Sequence, residues 1–264
     1  MLEIRELYKT FNIGTINEKY ALNGVSLKLN PGDFVTVIGG NGAGKSTMLN
    51  AVAGVWPADS GMILIDGEDI SGKSEYQRAK FLGRVFQDPM IGTAADMSIL
   101  ENLALAARRG QRRGLRMGVT RAEISKYKEA LYSLGLGLEE RLTTKVGLLS
   151  GGQRQALTLL MATIQRPKLL LLDEHTAALD PKTAAKVLSL TRQLVNENKL
   201  TALMVTHNMK DALQYGNRTV MMSDGRIIVD IDRENKMRLK VDDLLRLFET
   251  HSGSALVNDR MLLG

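Results

Sequence analysis

The 264-residue chain contains no cysteine. Disulfides, cysteine-ligated zinc and thiol nucleophiles are therefore excluded, and the composition fits a reducing compartment. No apolar stretch approaches the roughly twenty residues that a membrane-spanning helix needs. The first ten residues mix Glu3, Arg5, Glu6 and Lys9 into their apolar positions, so they do not read as a secretory leader. Internal repeats and low-complexity segments are missing too. The net charge is only +6, with its largest local source at 108–116, and so mild an excess does not argue for a nucleic-acid partner. What is present is 44% hydrophobic and 24% charged residues, an ordinary globular composition, in a length that suits one large domain or two small ones.

Against that background stands one dense string, Gly39-Gly40-Asn41-Gly42-Ala43-Gly44-Lys45-Ser46-Thr47. It follows an apolar run at 34–38 that reads as a buried strand. It precedes 48–55, which reads as a helix. Gly, four residues, then Gly-Lys-Ser is a full Walker A match, and the flanking strand and helix are the context such a loop requires. Glycines let the backbone curl so that successive N–H groups face phosphate oxygens. The helix that starts near Lys45 adds the positive end of its dipole. Lys45 can reach the β- and γ-phosphates, and the Ser46 hydroxyl can ligate Mg²⁺. The bland alternative, a flexible turn that happens to hold Gly and Lys, fits the flanking elements poorly.

The rest of the chain alternates strand and helix patterns. Residues 2–7 and 21–29 alternate apolar and polar, joined by a polar connection at 11–20. A strand at 62–65 closes on the hairpin-type turn Asp66-Gly67, 74–80 reads as a short helix, and a strand at 82–86 ends at Gln87-Asp88-Pro89. Helical periodicity then takes over at 99–107 and 121–134, the second helix opening with Thr120 and Glu123 in capping-box spacing. The basic, glycine-rich stretch 108–118 between them reads as a mobile loop. Helices at 151–165, 182–196 and 209–215 alternate with strands at 169–172, 201–205 and 218–222, the last forming a hairpin with 226–230. An amphipathic helix at 241–250 presents Leu244, Leu245, Leu247 and Phe248 to the core, no regulatory domain is expected after it, and the tail beyond Ser252 reads as weakly ordered. The order predicts an α/β fold with a mainly parallel sheet, an antiparallel β portion and a helical insertion. The expected division is one domain, with 1–89 and 151–233 as α/β core, 90–150 as helical subdomain and 234–264 as C-terminal helix and tail.

Leu169-Leu170-Leu171-Leu172-Asp173-Glu174 is a Walker B pattern. A continuous apolar run marks a strand covered on both faces, and it delivers Asp173 to the carboxyl end, where ligands gather in open α/β sheets. Asp173 would hold Mg²⁺ together with Ser46. Glu174 can accept a proton from a water aimed at the γ-phosphate; the alternative is a pair of acids that merely keep a strand end soluble. Leu149-Ser150-Gly151-Gly152-Gln153 opens a helix. Two glycines at a helix N-terminus make a second anion site, and Ser150 can donate to a γ-phosphate oxygen. An ordinary Ser-capped helix is the plainer reading of the same residues.

The phosphate loop, Gln87, Leu-Ser-Gly-Gly-Gln, the Walker B string, Ala178-Leu179-Asp180 and His207, in that order and spacing, resemble the ATP-binding subunits of ABC transporters over about residues 2–232. The resemblance implies a RecA-like P-loop NTPase core with ATP and Mg²⁺ as cofactors. It implies that Gln87 touches Mg²⁺ and the lytic water and senses the membrane partner, that Asp180 communicates across a dimer, and that His207 contacts the γ-phosphate. Taken alone, Asp180 reads equally well as the N-cap of a helix beginning at Pro181. Phe11 takes the adenine-stacking place, usually a tyrosine, with Tyr20 the alternative. Lys45, Gln87, Glu174 and His207 become the catalytic set. The resemblance further implies a homodimer formed on ATP binding, with Ser150, Gly151, Gly152 and Gln153 of one copy facing the ATP of the other. Integral membrane permease subunits, an extracytoplasmic substrate-binding protein and a place on the cytoplasmic face of the cell membrane go with it. Two residues depart from the common pattern. His175 stands where many relatives have proline and is read as a packing or hydrogen-bonding residue, and Ala177 replaces a common serine. The string 173–184 is similar to ATPases encoded with bacterial importers of small organic solutes such as amino acids. Arg108, Arg109, Arg112, Arg113 and Arg116 read as a solvated loop, with anionic lipid headgroups as the alternative contact. The other function class is a soluble ABC ATPase such as an iron–sulfur cluster assembly ATPase, itself a short single cassette.

Overall fold

The computed structural model describes residues 1–111 and 118–252. Arg112, Arg113, Arg116 and the tail beyond Ser252 lie outside the described residues. Two sheets carry the architecture. The first is antiparallel and contains β1 (Leu2–Phe11), β2 (Lys19–Leu29), β4 (Ser60–Ile65) and β5 (Glu68–Asp69), in the order β2-β1-β4-β5. The second has β3 (Phe34–Gly39), β6 (Leu82–Val85), β7 (Leu169–Asp173), β8 (Thr201–Val205), β9 (Arg218–Ser223) and β10 (Arg226–Ile231), in the order β10-β9-β3-β8-β7-β6. All of its neighbours are parallel except the β9–β10 hairpin. β3 and β8 are buried along their whole length, which is why their sequences run apolar without alternation.

The helices are α1 (Lys45–Ala53), α2 (Glu75–Arg78), α3 (Ile99–Ala106), α4 (Arg121–Tyr132), α5 (Gly151–Thr163), α6 (Pro181–Glu197), α7 (Met209–Gln214), α8 (Arg233–Lys236) and α9 (Val241–Ser252). Ile99 and Leu103 of α3 and Tyr127 and Leu131 of α4 share one apolar cluster with Leu157 of α5 and Leu170 and Leu172 of β7. The helical stretch therefore has no core separate from the sheet. On the other side, Met48 and Leu49 of α1 pack with Leu2, Ile4 and Ile63 of the antiparallel sheet. Leu244 and Phe248 of α9 seal a third cluster around Ile38 and Met221, as the amphipathic stripe requires. No helix among the described residues is long and apolar enough to cross a membrane.

Three expectations need correction. The polar connection read at 11–20 is shorter, because β1 continues to Phe11 and β2 already starts at Lys19. α1 begins at Lys45, as expected, but ends at Ala53 and not at 55, stopped by Gly54 in the left-handed conformation at φ 85°. Arg108 and Arg109 do not form a solvated face. Arg108 donates to Glu123 at 2.9 Å and to the Ala104 carbonyl at 3.0 Å, and Arg109 donates to the Ala162 carbonyl at 3.1 Å. Guanidinium groups with several donors pin the end of α3 to α4 and α5.

Candidate functional site

Strand register builds the site. Val205 pairs with Val37 of β3 on one side and with Asp173 of β7 on the other. Three strand ends thus reach the same level, the carboxyl edge of the sheet. From β3 the chain enters the glycine-rich loop, from β7 it reaches Glu174, and from β8 it reaches Thr206 and His207. Gly44 turns the loop into α1 with φ 99°, and a Cβ there would lie 2.5 Å from the Ala21 carbonyl oxygen, so only glycine fits.

Lys45 is buried, and its ammonium donates to the carbonyls of Gly39 at 2.8 Å and Gly40 at 2.9 Å. Burial pulls its pKa below the usual lysine value, against the opposing pull of Glu174 and Asp173. The Ser46 hydroxyl donates to Asp173 Oδ1 at 3.1 Å. Burial raises the Asp173 pKa, opposed by that hydrogen bond and by Arg84 at 3.9 Å. Glu174 sits in the left-handed region at φ 45°, strain that is common where a functional side chain must be aimed. Its N–H donates to Val205 O at 3.1 Å, and its carboxylate Oε1 lies 2.5 Å from His207 Nε2.

A cavity of about 280 Å³ is lined by Phe11, Lys19, residues 41–47, Glu174 and His207. A larger one of about 1210 Å³ brings in Gln87 beside Glu174 and His207. Phe11 stands edge-on to Trp56, ring centroids 5.0 Å apart, while Tyr20 lines neither cavity and is 65% exposed. Sequence reasoning missed Lys19. The β1–β2 register pairs it with Phe11, and its ammonium lies 2.9 Å from where a Cβ on Gly42 would be. That ammonium has no hydrogen bond or ion pair with another described residue. Arg84 was missed as well. It donates to Asn50 Oδ1 at 2.5 Å, lies on the Phe86 ring and faces Asp173.

The chain matches the ABC transporter family over residues 22–177, more than half of its length. It belongs to that family. This cassette is 43% identical over 249 residues to the tyrosine transport ATP-binding protein of Clostridioides difficile (strain R20291), covering 94% of this chain and 99% of that one. The phosphonates import ATP-binding protein PhnC of Frankia casuarinae is 36% identical, over 80% of this chain and 83% of the relative. A solved dimeric ATP-binding cassette in a post-hydrolysis state, bound to ADP and Pi, superposes with a TM-score of 0.75 at 30% identity, over 88% of this chain and 99% of that one. As a member of this family the cassette is an ATPase that binds ATP and hydrolyses it to power transport. Cassettes of the family form dimers and, in importers, pair with membrane permease subunits. These relatives lend no support to the iron–sulfur assembly alternative.

Ser150, Gly151, Gly152, Gln153 and Asp180 do not themselves line the cavities around the loop, although Leu179 and Pro181, on either side of Asp180, line the larger one. Ser150 caps α5, its hydroxyl accepting from the Gln153 N–H at 3.3 Å while Gln153 Oε1 accepts from the Ser150 N–H at 3.2 Å. A Cβ on Gly152 would lie 2.1 Å from Thr183 Cγ2, so α5 and the start of α6 approach as closely as a glycine permits. Asp180 caps α6 by accepting from the Thr183 N–H at 3.1 Å.

His175 is buried in the cassette and bonded to the Thr191 hydroxyl at 2.9 Å, a packing and hydrogen-bonding residue as expected. Burial pushes its pKa from 6.5 down to about 4. The unfolded chain takes up this proton below about pH 6.5, but the folded chain waits until about pH 4. Stability that is present above pH 6.5 is therefore lost as the pH falls through that window. Between pH 7 and pH 5 the loss should be about 2 kcal/mol. Urea unfolding of the parent and of His175→Gln checks this: the variant should lack that part of the acid sensitivity, and equal slopes would contradict it.

Proposed function

We propose that the chain is the MgATP-driven motor subunit of an importer for a small organic solute, an amino acid in the first instance. It works as a homodimer on the cytoplasmic face of the cell membrane, with separate permease subunits and an extracytoplasmic binding protein. The observation that carries the catalytic half is the convergence of Lys45, Ser46, Asp173, Glu174 and His207 at three strand ends of one sheet edge. The solute class rests on the likeness to the tyrosine transport ATP-binding protein.

In this reading the loop amides, from Gly39 to Thr47, and Lys45 hold the β- and γ-phosphates. The residues present suit Mg²⁺: a hydroxyl and a desolvated carboxylate, Ser46 and Asp173, already touch, and both are hard oxygen donors. Gln87 completes the set from the larger cavity. Mg²⁺, when bound, supplies charge to the phosphoryl oxygens as negative charge develops there. Glu174 accepts the proton of the attacking water, and His207, which holds the Glu174 carboxylate, steadies the γ-phosphate. Phe11 stacks on the base. Lys19, across the strand pair from Phe11, adds a cation over the loop. Lys19→Gln should raise the KM for MgATP about fivefold with kcat little changed, because the contact is made in ground and transition states alike. A change in kcat alone would exclude that role.

Ser150 to Gln153 serve a second copy. Their capped helix end has no place at the cavity of their own chain, yet it offers N–H groups and a hydroxyl to an anion. The division into core, helical part at 90–150 and C-terminal segment goes with this use, since the helical part leads into that helix end. A groove of about 840 Å³ between α2, α3 and α5 is the proposed seat of a permease segment. Its rim exposes Tyr76 by 77% and Ile91 by 66%, and Phe86, the residue before Gln87, is part of its lining. Uptake of labelled tyrosine and of other amino acids, measured in cells lacking this chain and in cells complemented with it, tests the importer reading. Loss of uptake restored by the parent but not by Lys45→Ala is expected; uptake of every amino acid unchanged by the deletion would overturn the solute class.

A further inference from the structure

A second cavity, of about 800 Å³, lies at the amino end of the central sheet, opposite the phosphate loop. Four cations from three segments line it: Arg192 of α6, Lys199 after it, and Arg233 and Lys236 of α8. No carboxylate is among its described lining residues. Nearby acids are engaged elsewhere: Asp33 accepts from the Asn30 N–H at 2.8 Å and faces Arg218, and Asp232 caps α8 through the Asn235 N–H at 2.9 Å. Lys236 is 5% exposed, and its ammonium has one protein acceptor, the Tyr215 carbonyl, at 2.5 Å. A buried ammonium with a single neutral acceptor is electrostatically under-served. Phe34 and Leu213 supply an apolar wall. The volume falls in the range of small-molecule sites.

We infer that this cavity binds a small organic phosphate, ring against the apolar wall and phosphate against the cations, and that the bound ligand acts on His207 through α7. The path is short. Lys236 holds the carbonyl of Tyr215, the residue that follows α7, and Gln214 and Tyr215 also line the larger cavity of the ATP site. At its other end α7 is capped by Asn208, the neighbour of His207. A phosphate that draws the Lys236 ammonium off the Tyr215 carbonyl loosens the far end of α7. The binding stands on the cavity alone, whereas the coupling rests on the proposed contact of His207 with nucleotide. Around Lys236 the charged and titratable groups are Arg192, Lys199, Arg233 and the Tyr215 hydroxyl, with Asp33 and Asp232 engaged as above and Asp211 of α7 acting on Tyr215. Burial pushes the Lys236 pKa down to about 8, so an anion favours the protonated form and its binding fades as the pH rises through that value.

The full chain, with MgADP filling the loop cavity, is titrated with phenyl phosphate, inorganic phosphate and phenol by calorimetry. Phenyl phosphate should saturate one site, about tenfold more tightly than inorganic phosphate, while phenol should not bind. Arg192→Gln with Arg233→Gln, two exposed positions whose change leaves the fold intact, should weaken it about tenfold, as should raising the pH from 7 to 9. Saturating phenyl phosphate should change the ATPase rate of the parent about twofold or more and leave the double variant unaffected. Absence of saturable binding, or equal binding by the double variant, overturns the site. Binding with an unchanged ATPase rate overturns the coupling. Failure here with Glu174→Gln still hydrolytically dead separates this inference from the catalytic reading.

Discussion

Glu174→Gln is expected to hydrolyse ATP at least about a hundredfold more slowly than the parent and to sediment as a dimer in MgATP. The side chain is 11% exposed and held by His207, so an amide of the same shape keeps its place. An amide cannot take the proton from water, and general bases contribute about 10²–10⁴ in rate. The groups proposed to hold nucleotide, Lys45, Ser46 and Asp173, are untouched, so ATP still binds. With hydrolysis stopped, the closed pair has no route to its open form and accumulates. Single-turnover hydrolysis and sedimentation velocity read the two effects separately. A rate within about threefold of the parent would remove Glu174 from the role of base.

Lys45→Ala should abolish turnover, by about a thousandfold or more, and should also loosen the loop. The ammonium is held by two carbonyls of its own loop, Gly39 and Gly40. Its loss removes the charge proposed to face the phosphates and takes a donor from the buried Gly39 carbonyl, while Gly40 O keeps the Ala43 N–H at 3.2 Å; an unmet buried acceptor costs about 1–3 kcal/mol. Lys45→Met loses the same ammonium but keeps the stem packed, so the difference between the two variants isolates the packing of the stem. Both variants should lose turnover alike, while thermal unfolding should fall further for alanine. ATPase activity near the parent level in either variant would refute the role of the ammonium.

Much of this site could be read from the chain because its parts are local. The phosphate loop is one contiguous string whose strand and helix flank it directly, and the apolar run before Asp173 announces a strand covered on both faces. Thr120 and Glu123 form the capping box their spacing implies, and Asp180 is the N-cap it was expected to be on local grounds. What stayed hidden depends on register or burial. An antiparallel portion was expected, but its strand order, β2-β1-β4-β5, needs pairings some sixty residues apart in sequence, such as Leu2 with Ile65. Lys19 looked like part of a polar loop, and only its pairing with Phe11 places it over Gly42. α8 spans four residues, too few for a periodic signal, and is held by the cap from Asp232. Arg108 and Arg109 carry charges that suit solvent but find carbonyl and carboxylate partners that no pattern of their own announces.

In the proposed assembly a complete site needs two chains, the loop from one and the Ser150 helix end from the other. The absence of native cysteine permits a clean test. Ser150→Cys and Asn41→Cys are placed together in the Glu174→Gln chain and exposed to a short thiol cross-linker with and without MgATP. A covalent two-chain species should form in MgATP and be lost when either cysteine is omitted. A chain that stays monomeric in MgATP, or that links equally well without nucleotide, would contradict that assembly.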